Sequence, residues 1–515
     1  MSEPREADDL LQKTAGGAGW TIGWRATTRF LGFFSTLALA RLLVPADFGL
    51  VALAMSFSRA IDVFADLGVQ DALIRHTQPS RANYDTAFTI NAVRGLVTAT
   101  VIGAVARPFA TFFGDTRLQY VVLALAAAVV MDAMENVGVA DFRRHFAFRR
   151  EFQLSIFPRL AQVVTTVSLA ILWRNYWALV AGILTQRVLQ TAASYLMHPY
   201  RPRLSLRGWH DIMGFSFWSW LISMSRMIKE RGITITVGGM LNPTLLGVYT
   251  VGTEIAVLPE LELILPLCRV CFASFSAARR ANANVAETFL RITASTLVIA
   301  LPASIGISAV AAPIVTLAFG TKWMMATPVV QVLAAACVFS VSGRVSWTLF
   351  SAFALLRSLF WFGVVISIVQ LLLLVPFIWH WGLIGAAMAT ALGGLIEQAV
   401  YTVIAFHRFA IPPGALLRRA WRCLLATIVM ATALVVTGYG WEPGTTGVTY
   451  SMNHLLVTSG LGACIYTAAL LGLWFTSGRP IGPETDVLEL LRRACARISG
   501  TVSRSAAMLF NGASR

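Results

Sequence analysis

Apolar runs of about 20 residues recur along almost the whole chain, separated by short polar connections. A run of that length crosses the ~30 Å hydrocarbon core of a membrane as one helix. Backbone N–H and C=O groups must be paired internally in lipid, and the two-residue alternation of an outer-membrane barrel is not visible, so helices are predicted. The pattern predicts fourteen spans, at residues 20–43, 48–74, 84–106, 118–139, 153–173, 176–197, 212–238, 246–273, 286–310, 326–350, 358–379, 382–406, 416–439 and 452–475.

The composition supports this reading. Of 515 residues, 57% are hydrophobic and 13% are charged, whereas a soluble domain carries about 25% charged residues. The predicted fold class is therefore an all-α polytopic membrane protein. The first residues, MSEPREADDLLQKT, are acidic and polar, so a cleavable signal peptide is not expected there.

The net charge of +16 follows the predicted topology. Arginines concentrate in alternate connections, and the Lys/Arg excess marks cytoplasmic loops. Both termini are therefore expected in the cytoplasm, with the chain in the bacterial inner membrane. Because the arginines form no single basic domain, nucleic-acid binding is not favoured, and contacts with lipid headgroups are. The basic positions are Arg75, Arg81, Arg143, Arg144, Arg149, Arg150, Arg201, Arg203, Arg207, Arg279, Arg280, Arg408, Arg418, Arg419 and Arg422.

An internal repeat divides the chain. LLVPADFGLVALA (42–54) aligns without gaps on MLNPTLLGVYTVG (240–252), which places Pro45 and Gly49 on Pro243 and Gly247 at an offset of 198 residues. That offset equals six spans, so the copies form parallel repeats, and transporters built this way place substrate between their halves. In each copy the proline is expected to begin a helix, and the glycine to admit a neighbouring helix closely.

The repeat predicts these divisions of the chain. Spans 1–6 form an N-lobe and spans 7–12 a C-lobe, each pseudo-symmetric with the other, and two further helices follow. The tail contains PETDVLELLRRACARIS (483–499), which has the pattern of an amphipathic cytoplasmic or interfacial helix. The predicted boundaries are a cytoplasmic N-terminal segment 1–19, N-lobe 20–197, cytoplasmic linker 198–211, C-lobe 212–408, additional helices 416–475 and basic tail 476–515.

Charged residues lie inside several spans, where each costs about 2.5–3.5 kcal/mol on insertion scales. Arg25 and Arg29 share one helical face, as do Arg59, Asp62 and Asp66. One interpretation is a water-filled cavity whose basic residues attract an anion and whose carboxylates bind a proton or cation. The other is that pairs such as Arg59–Asp62 are structural. The remaining charges in these spans are Arg94, Asp132, Glu135, Arg187, Arg226, Lys229, Glu230, Arg231, Glu254, Glu260, Glu262, Arg344 and Glu397.

Metal chemistry has little support in the sequence. Cys268 and Cys271 have CxxC spacing, but no second pair or histidine cluster completes a zinc set. Both lie in an apolar span, where a free cysteine behaves as a small hydrophobe. No metal site and no cofactor are expected.

Several motifs resemble Wzx-type oligosaccharide flippases of the multidrug/oligosaccharidyl-lipid/polysaccharide exporter superfamily. The resemblance covers roughly residues 15–410 and rests on LARLLVPADFGLVALA, FADLGVQDALIR (64–75), DFRRHFAFRR (141–150), MLNPTLLGVYTVG and FGTKWMMATPVVQVLA (319–334). It implies a twelve-helix core with two extra helices, and flipping of an undecaprenyl-diphosphate-linked oligosaccharide from the inner to the outer leaflet. It also implies coupling to an H⁺ or Na⁺ gradient, and a polysaccharide polymerase and other assembly proteins as partners.

The resemblance directs site assignment to the charges within the spans. Arginine offers bidentate donors to phosphate oxygens, so the basic residues are expected to contact the diphosphate and sugars. The carboxylates are expected to couple an ion or to hold those arginines. The substrate-binding candidates are Arg25, Arg29, Arg59, Arg94, Arg187, Arg226 and Lys229, and the coupling or pairing candidates are Asp62, Asp66, Glu230, Glu254 and Glu260.

Three alternatives stay open at this point. The same fold could export another cargo, such as a peptidoglycan precursor or a drug, although an arginine-rich lining suits cationic drugs poorly. A membrane glycan-processing enzyme is less favoured, because the sequence shows no nucleophile–base pair or phosphate-binding glycine loop. A non-transporting scaffold would leave the intramembrane charges without a reason.

Overall fold

The computed structural model describes residues 27–65 apart from 29 and 33, then 73, 79–145, 147–207, 217–280, 284–353, 355–441, 448–479 and 482–485. These ranges contain helices and no strand. Among them, seven helices are long and apolar enough to cross a membrane, and an eighth crossing results if the bent pair Arg117–Ala133 and Val137–Arg144 is one span. The predicted all-α polytopic membrane fold is confirmed, and the count of fourteen spans stays a prediction.

The helices are numbered in chain order over the described residues. The amino-terminal part contains α1 (Phe30–Leu42), α2 (Pro45–Ala65), α3 (Arg81–Phe112), α4 (Arg117–Ala133), α5 (Ala140–Arg144), α6 (Phe148–Trp173), α7 (Trp177–Met197), α8 (Phe217–Met240) and α9 (Pro243–Ala256). The part that follows contains α10 (Leu265–Arg280), α11 (Val285–Ala309), α12 (Ala311–Phe319), α13 (Thr327–Ala336), α14 (Ser340–Ala352), α15 (Leu356–Arg408), α16 (Pro413–Val436) and α17 (Val448–Thr476).

One predicted span differs in detail from the helices observed, and two others meet at a kink. The predicted span 246–273 is interrupted after α9 by a single π-helical turn, Glu260–Ile264. Pro259 directly precedes that turn, and a proline inside a helix removes one N–H donor, which disturbs the regular hydrogen-bond ladder. The predicted spans 358–379 and 382–406 both lie in α15, which consists of two helices joined at a kink at Gly382, where φ is 55°, so the predicted boundary between the two spans is confirmed. Glycine tolerates this positive φ because it has no Cβ.

The chain forms two compact units, which we describe separately. Unit 1 comprises Met1–Val251, Ala318–Met325 and Gly363–Ala389. Within it, α2 contacts α3, α4 and α8, while α7 packs on α4 and α6. Unit 2 comprises Gly252–Leu317, Ala326–Phe362 and Thr390–Arg515, and within it α11 packs against α13, α14 and α16. The six-helix lobe boundaries predicted from the repeat stay a prediction.

The repeated proline–glycine motif behaves locally as expected. Helix α1 ends at Leu42 and Pro45 begins α2, while α8 ends at Met240 and Pro243 begins α9. Asn242 caps α9, since its Oδ1 accepts a hydrogen bond from the Leu245 N–H at 2.8 Å. The motif is therefore a helix boundary in both copies and not a broken span.

The two copies of the motif also touch each other within unit 1. A Cβ atom on Gly49 would lie 1.6 Å from the Pro243 carbonyl oxygen, and one on Gly247 would lie 1.9 Å from that of Pro45. Neither position could hold a side chain without moving backbone. The expected close helix approach is confirmed. The helix that approaches Gly49 is α9 and the helix that approaches Gly247 is α2, so each glycine meets the helix that contains the other glycine.

A second pair of contacts in unit 1 also joins one repeat to the other. Trp323 is fully buried, and its Nε1–H donates to the Ala40 carbonyl near the end of α1 at 2.8 Å. At the end of α8, Gly239 faces the ring of Phe113, which would lie 3.3 Å from a Cβ at that glycine. The two helices that precede the motif copies, α1 and α8, therefore each contact a connection that belongs to the other repeat.

Candidate functional site

A charged cavity lies among α2, α4 and α7 inside unit 1. Helical spacing brings its lining residues onto facing stripes: Arg59 and Asp62 on α2, Asp132 on α4, and Arg187 on α7. Its volume is about 50 Å³, which is enough for one or two water molecules, since each takes about 30 Å³ in the liquid. The other lining residues are Met55, Ser58, Leu125, Ala128, Val129 and Ile183.

Both carboxylates of the cavity are paired with an arginine from another helix. Asp62 accepts a hydrogen bond from Arg94 on α3, with Nη1 and Oδ1 3.1 Å apart. Asp132 pairs with Arg187 through Oδ1 and Nη1. The suggested local pair Arg59–Asp62 does not form an ion pair, because the next helix supplies the partner instead.

Arg59 is the cation of this cavity that has no matched carboxylate. Within the part of the chain that the structure describes, it forms no ion pair within 4.0 Å, and by surface area the residue is exposed. Its charged neighbours are Arg187 and Arg231 as well as Asp62 and Asp132. An anion that entered here would meet a guanidinium whose five N–H donors are not held by a carboxylate.

Three residues of this region were noted in the sequence but not assigned to a site. Asp132 anchors Arg187, and Glu135 accepts a long hydrogen bond from Gln190 Nε2 at 3.5 Å. Arg231 lies in the electrostatic environment of Arg59, and its Nε is buried without a hydrogen-bond partner among the described residues. Their position within predicted spans was the available signal, but the spacing of residues along one helix does not give contacts between helices.

The remaining candidates do not join this cavity in the described structure. Lys229 is half-buried and Glu230 is exposed on α8, while Glu254 is exposed on α9 in unit 2. The side chain of Arg226, and Arg25, Arg29 and Asp66 entirely, lie outside the described residues. Their predicted roles stay predictions.

Unit 2 holds a separate charged pair. Glu260, on the π-helical turn, accepts a hydrogen bond from Arg344 Nε on α14 at 2.6 Å. Glu397 on α15 is a second negative neighbour of Arg344. Here one arginine faces two carboxylates, so the pattern suits charge pairing within the unit. For metal binding, no group of three or more His, Cys, Asp or Glu residues with suitable geometry occurs among the described residues.

Residues 198–207, which follow α7, are fixed to the helix ends of unit 1. The Tyr200 hydroxyl donates to Asp85 Oδ1 at 2.5 Å, and the Arg203 and Ser205 N–H groups donate to Asp85 and Thr89. Burial raises the pKa of Tyr200 above its usual value. Burial also lowers the pKa of His198, although Asp141, 3.4 Å away, opposes that change.

Residues 38–328 match the family model described as "Polysaccharide biosynthesis protein". The chain belongs to this family. The match covers more than half of the sequence and includes the cavity of α2, α4 and α7 as well as both copies of the repeated motif.

Curated relatives are distant in sequence. The chain is 24% identical over 318 residues to the succinoglycan biosynthesis transport protein ExoT of Rhizobium meliloti (strain 1021), covering 61% of this chain and 64% of ExoT. It is 23% identical over 401 residues to the lipopolysaccharide biosynthesis protein WzxC of Escherichia coli (strain K12), covering 77% of this chain and 81% of WzxC. The match with ExoT therefore spans slightly less than two thirds of that protein.

Solved structures confirm the fold class. The lipid II flippase MurJ in an inward closed conformation is similar with a TM-score of 0.71 and 14% identity, covering 89% of this chain and 99% of MurJ. An inward-facing multidrug resistance MATE family transporter of the MOP superfamily gives a TM-score of 0.59 at 15% identity, covering 74% and 94%. At these identities the likeness shows the fold alone.

Proposed function

We propose that this membrane protein flips an undecaprenyl-diphosphate-linked oligosaccharide repeat unit from the cytoplasmic to the periplasmic leaflet for surface polysaccharide biosynthesis. Family membership and the named roles of ExoT and WzxC in polysaccharide biosynthesis support this function. The arginine distribution supports placement in the bacterial inner membrane with both termini cytoplasmic. The polymerase and assembly partners expected from the resemblance belong to the same proposal.

The proposal depends mainly on the exposed guanidinium of Arg59 at the cavity. A diphosphate cannot enter hydrocarbon unaided, because an unpaired charge there is strongly disfavoured. Arg59 exposes a guanidinium on a cavity among membrane helices, beside two arginines already held by carboxylates. A phosphate oxygen can accept from Arg59 without displacing an internal ion pair of the described structure.

In the proposed cycle, the protein moves its substrate by alternating access, and an ion gradient drives the movement. Asp62 is available for coupling, because protonation or cation binding at its carboxylate would release Arg94. Glu260 stands in the same relation to Arg344 in unit 2. The coupling role of Asp62, Asp66, Glu230, Glu254 and Glu260, and the choice between H⁺ and Na⁺, are parts of this proposal.

Another cargo is the main competing function. A peptidoglycan precursor carries the same diphosphate, but the likeness to MurJ shows only a shared fold. The exposed positive charge of Arg59 would repel a cationic drug. The cargo therefore has to be decided by the lipid that accumulates when the protein is absent.

Gene deletion followed by lipid extraction tests the function. We expect loss of surface polysaccharide and accumulation of complete lipid-linked repeat units on the cytoplasmic side, both restored by the wild-type gene. Arg59→Gln should fail to restore export at normal protein level. Arg419→Gln is the matched control, since this arginine pairs with Glu287 at the surface and should restore export. Cell lysis with accumulation of peptidoglycan precursor would show the competing cargo, and absence of any lipid-linked intermediate would contradict both.

A further inference from the structure

The segment that follows α7, residues 198–207, is held against unit 1 through its backbone. The Asn136 side-chain amide donates to the Tyr200 carbonyl oxygen at 2.8 Å, and two backbone N–H groups further along the segment donate to side chains of α3. Because these bonds use backbone groups, they fix the segment without engaging its arginine and leucine side chains.

Two leucines of this segment are exposed. Leu204 is 77% exposed and Leu206 is 56% exposed, although the N–H of Ser205 between them is bound to Thr89 on α3 at 2.9 Å. Large apolar side chains in this state are unfavourable in water. They suit the membrane interface, where the topology predicted from the arginines places the cytoplasmic end of α7.

Arg203 and Arg207 flank the two leucines and are also exposed. Neither forms an ion pair within 4.0 Å with any residue that the structure describes. Asp85, which contacts this segment, already accepts hydrogen bonds from the Tyr200 hydroxyl and the Arg203 N–H. Two guanidinium groups beside the leucines are therefore open to an anion outside the protein.

Several arginines at other predicted cytoplasmic connections are instead held by carboxylates of the protein. Arg143 pairs with Glu151 at 2.6 Å, and Arg419 pairs with Glu287 at 2.7 Å. The rule that cytoplasmic connections are basic predicts all of these arginines equally. It does not predict exposed leucines between two arginines on a fixed backbone, and this combination distinguishes the 198–207 segment.

We propose that the 198–207 segment docks on anionic phospholipid of the inner leaflet. Lipid phosphate groups accept hydrogen bonds from Arg203 and Arg207, and Leu204 and Leu206 enter the boundary between head groups and acyl chains. A second copy of this basic chain, or its own basic tail, would bring positive charge to the same surface. The docking concerns the surrounding membrane and does not depend on the cargo that the protein carries.

Photo-crosslinking of the purified full-length protein in phosphatidylcholine nanodiscs tests this surface. Two probe lipids carry a diazirine at the same acyl carbon near the glycerol and differ only in the head group, which is phosphatidylglycerol or phosphatidylcholine. We expect the phosphatidylglycerol probe to label residues 198–207, located by mass spectrometry, at least about fivefold more than the other probe. Arg203→Gln/Arg207→Gln should make the two probes equal, and Leu204→Ser/Leu206→Ser should lower labelling by both at least about threefold.

Arg408→Gln/Arg418→Gln is the matched control, because it removes two exposed arginines near the ends of α15 and α16 and leaves the segment intact. Labelling of 198–207 in this variant should equal that of the wild type, and an equal loss of selectivity would assign the effect to net charge and overturn the site. All substituted side chains are exposed, so every variant should unfold at the wild-type temperature.

Three further outcomes would contradict the proposal. The first is equal labelling of the wild type by the two probes, and the second is selectivity that Arg203→Gln/Arg207→Gln leaves unchanged. The third is absence of labelling by both probes, which would show that the segment lies away from lipid and is a surface for an acidic protein. None of these measurements involves transport, so each can fail without affecting the export test of Arg59.

Discussion

Units 1 and 2 both place charge among helices, but they balance it in opposite directions. In unit 1, one small cavity is lined by Arg59, Arg187, Asp62 and Asp132. Arg187 pairs with Asp132, and Asp62 pairs with Arg94, which does not line the cavity. In unit 2, Arg344 is surrounded by Glu260 and Glu397. Among the described residues, one region can therefore accept an added anion, while in the other the arginine already has two carboxylates as neighbours.

The difference separates two uses of the same residue type. An arginine whose donors are taken by carboxylates contributes to the structure, and its removal leaves a carboxylate without compensation. An arginine beside a cavity without such a partner contributes little to folding and is available for a ligand. Substitutions of the two kinds of arginine should consequently affect different measurements, export for Arg59 and stability for the arginines that pair with carboxylates.

The largest effect is expected from Arg59→Gln. Loss of charge-assisted hydrogen bonds worth about 2–3 kcal/mol should slow flipping about 30- to 160-fold, with the unfolding temperature of the purified protein unchanged. The measurement is the rate at which a fluorescent lipid-linked saccharide changes leaflet in proteoliposomes. Arg59→Lys keeps the charge but loses the planar guanidinium, so its flipping rate should lie between those of the wild type and Arg59→Gln. A normal rate for Arg59→Gln would end the distinction between the units.

A second prediction concerns the Arg187–Asp132 pair. Either single alanine substitution should lower the free energy of unfolding by about 2 kcal/mol, because it leaves one charge among membrane helices without its partner. The double substitution should recover part of that loss. Thermal unfolding in detergent for the four proteins of this cycle gives the interaction energy. Additive losses would mean that the pair is not a structural unit.

Arg344→Gln should affect stability by a smaller amount. The Arg344 side chain is 38% exposed, so the loss of its pair with Glu260 should cost about 1–2 kcal/mol. Glu260→Gln added to Arg344→Gln should restore most of it. The flipping rate per folded molecule of Arg344→Gln should fall less than that of Arg59→Gln, measured in the same proteoliposomes. A rate loss as large as that of Arg59→Gln would assign transport to both arginines.

The smallest effect is a pH dependence at His198. Burial depresses its folded-state pKa below the ordinary 6.5, so the folded protein favours the neutral ring. The resulting stability is fully present above the unfolded pKa and is lost as the pH falls through the folded pKa, by less than about 1 kcal/mol. Thermal unfolding between pH 7.5 and 5 should show this slope in wild type and a reduced slope in His198→Asn. An equal slope in both proteins would exclude His198 as its source.

The sequence predicted local features better than partnerships between helices. Proline at a helix start, asparagine as a cap and glycine at a close approach follow local rules, and Pro45, Asn242 and Gly49 obey them. The charge partners were not accessible in the same way. Asp62 lies one helical turn from Arg59 but pairs with Arg94, because the rotation and separation of α2 and α3 decide which guanidinium reaches it.

The contact between Gly49 and Gly247 also sets an order of events during biosynthesis. The first glycine is made 198 residues before the second, and at about 5–20 residues per second this leaves roughly 10–40 s before its partner exists. Throughout that interval the backbone surface of α2 that contacts α9 in the folded protein has no partner. A chain truncated before residue 243 can never close that surface, which makes it a natural substrate for membrane quality-control proteolysis.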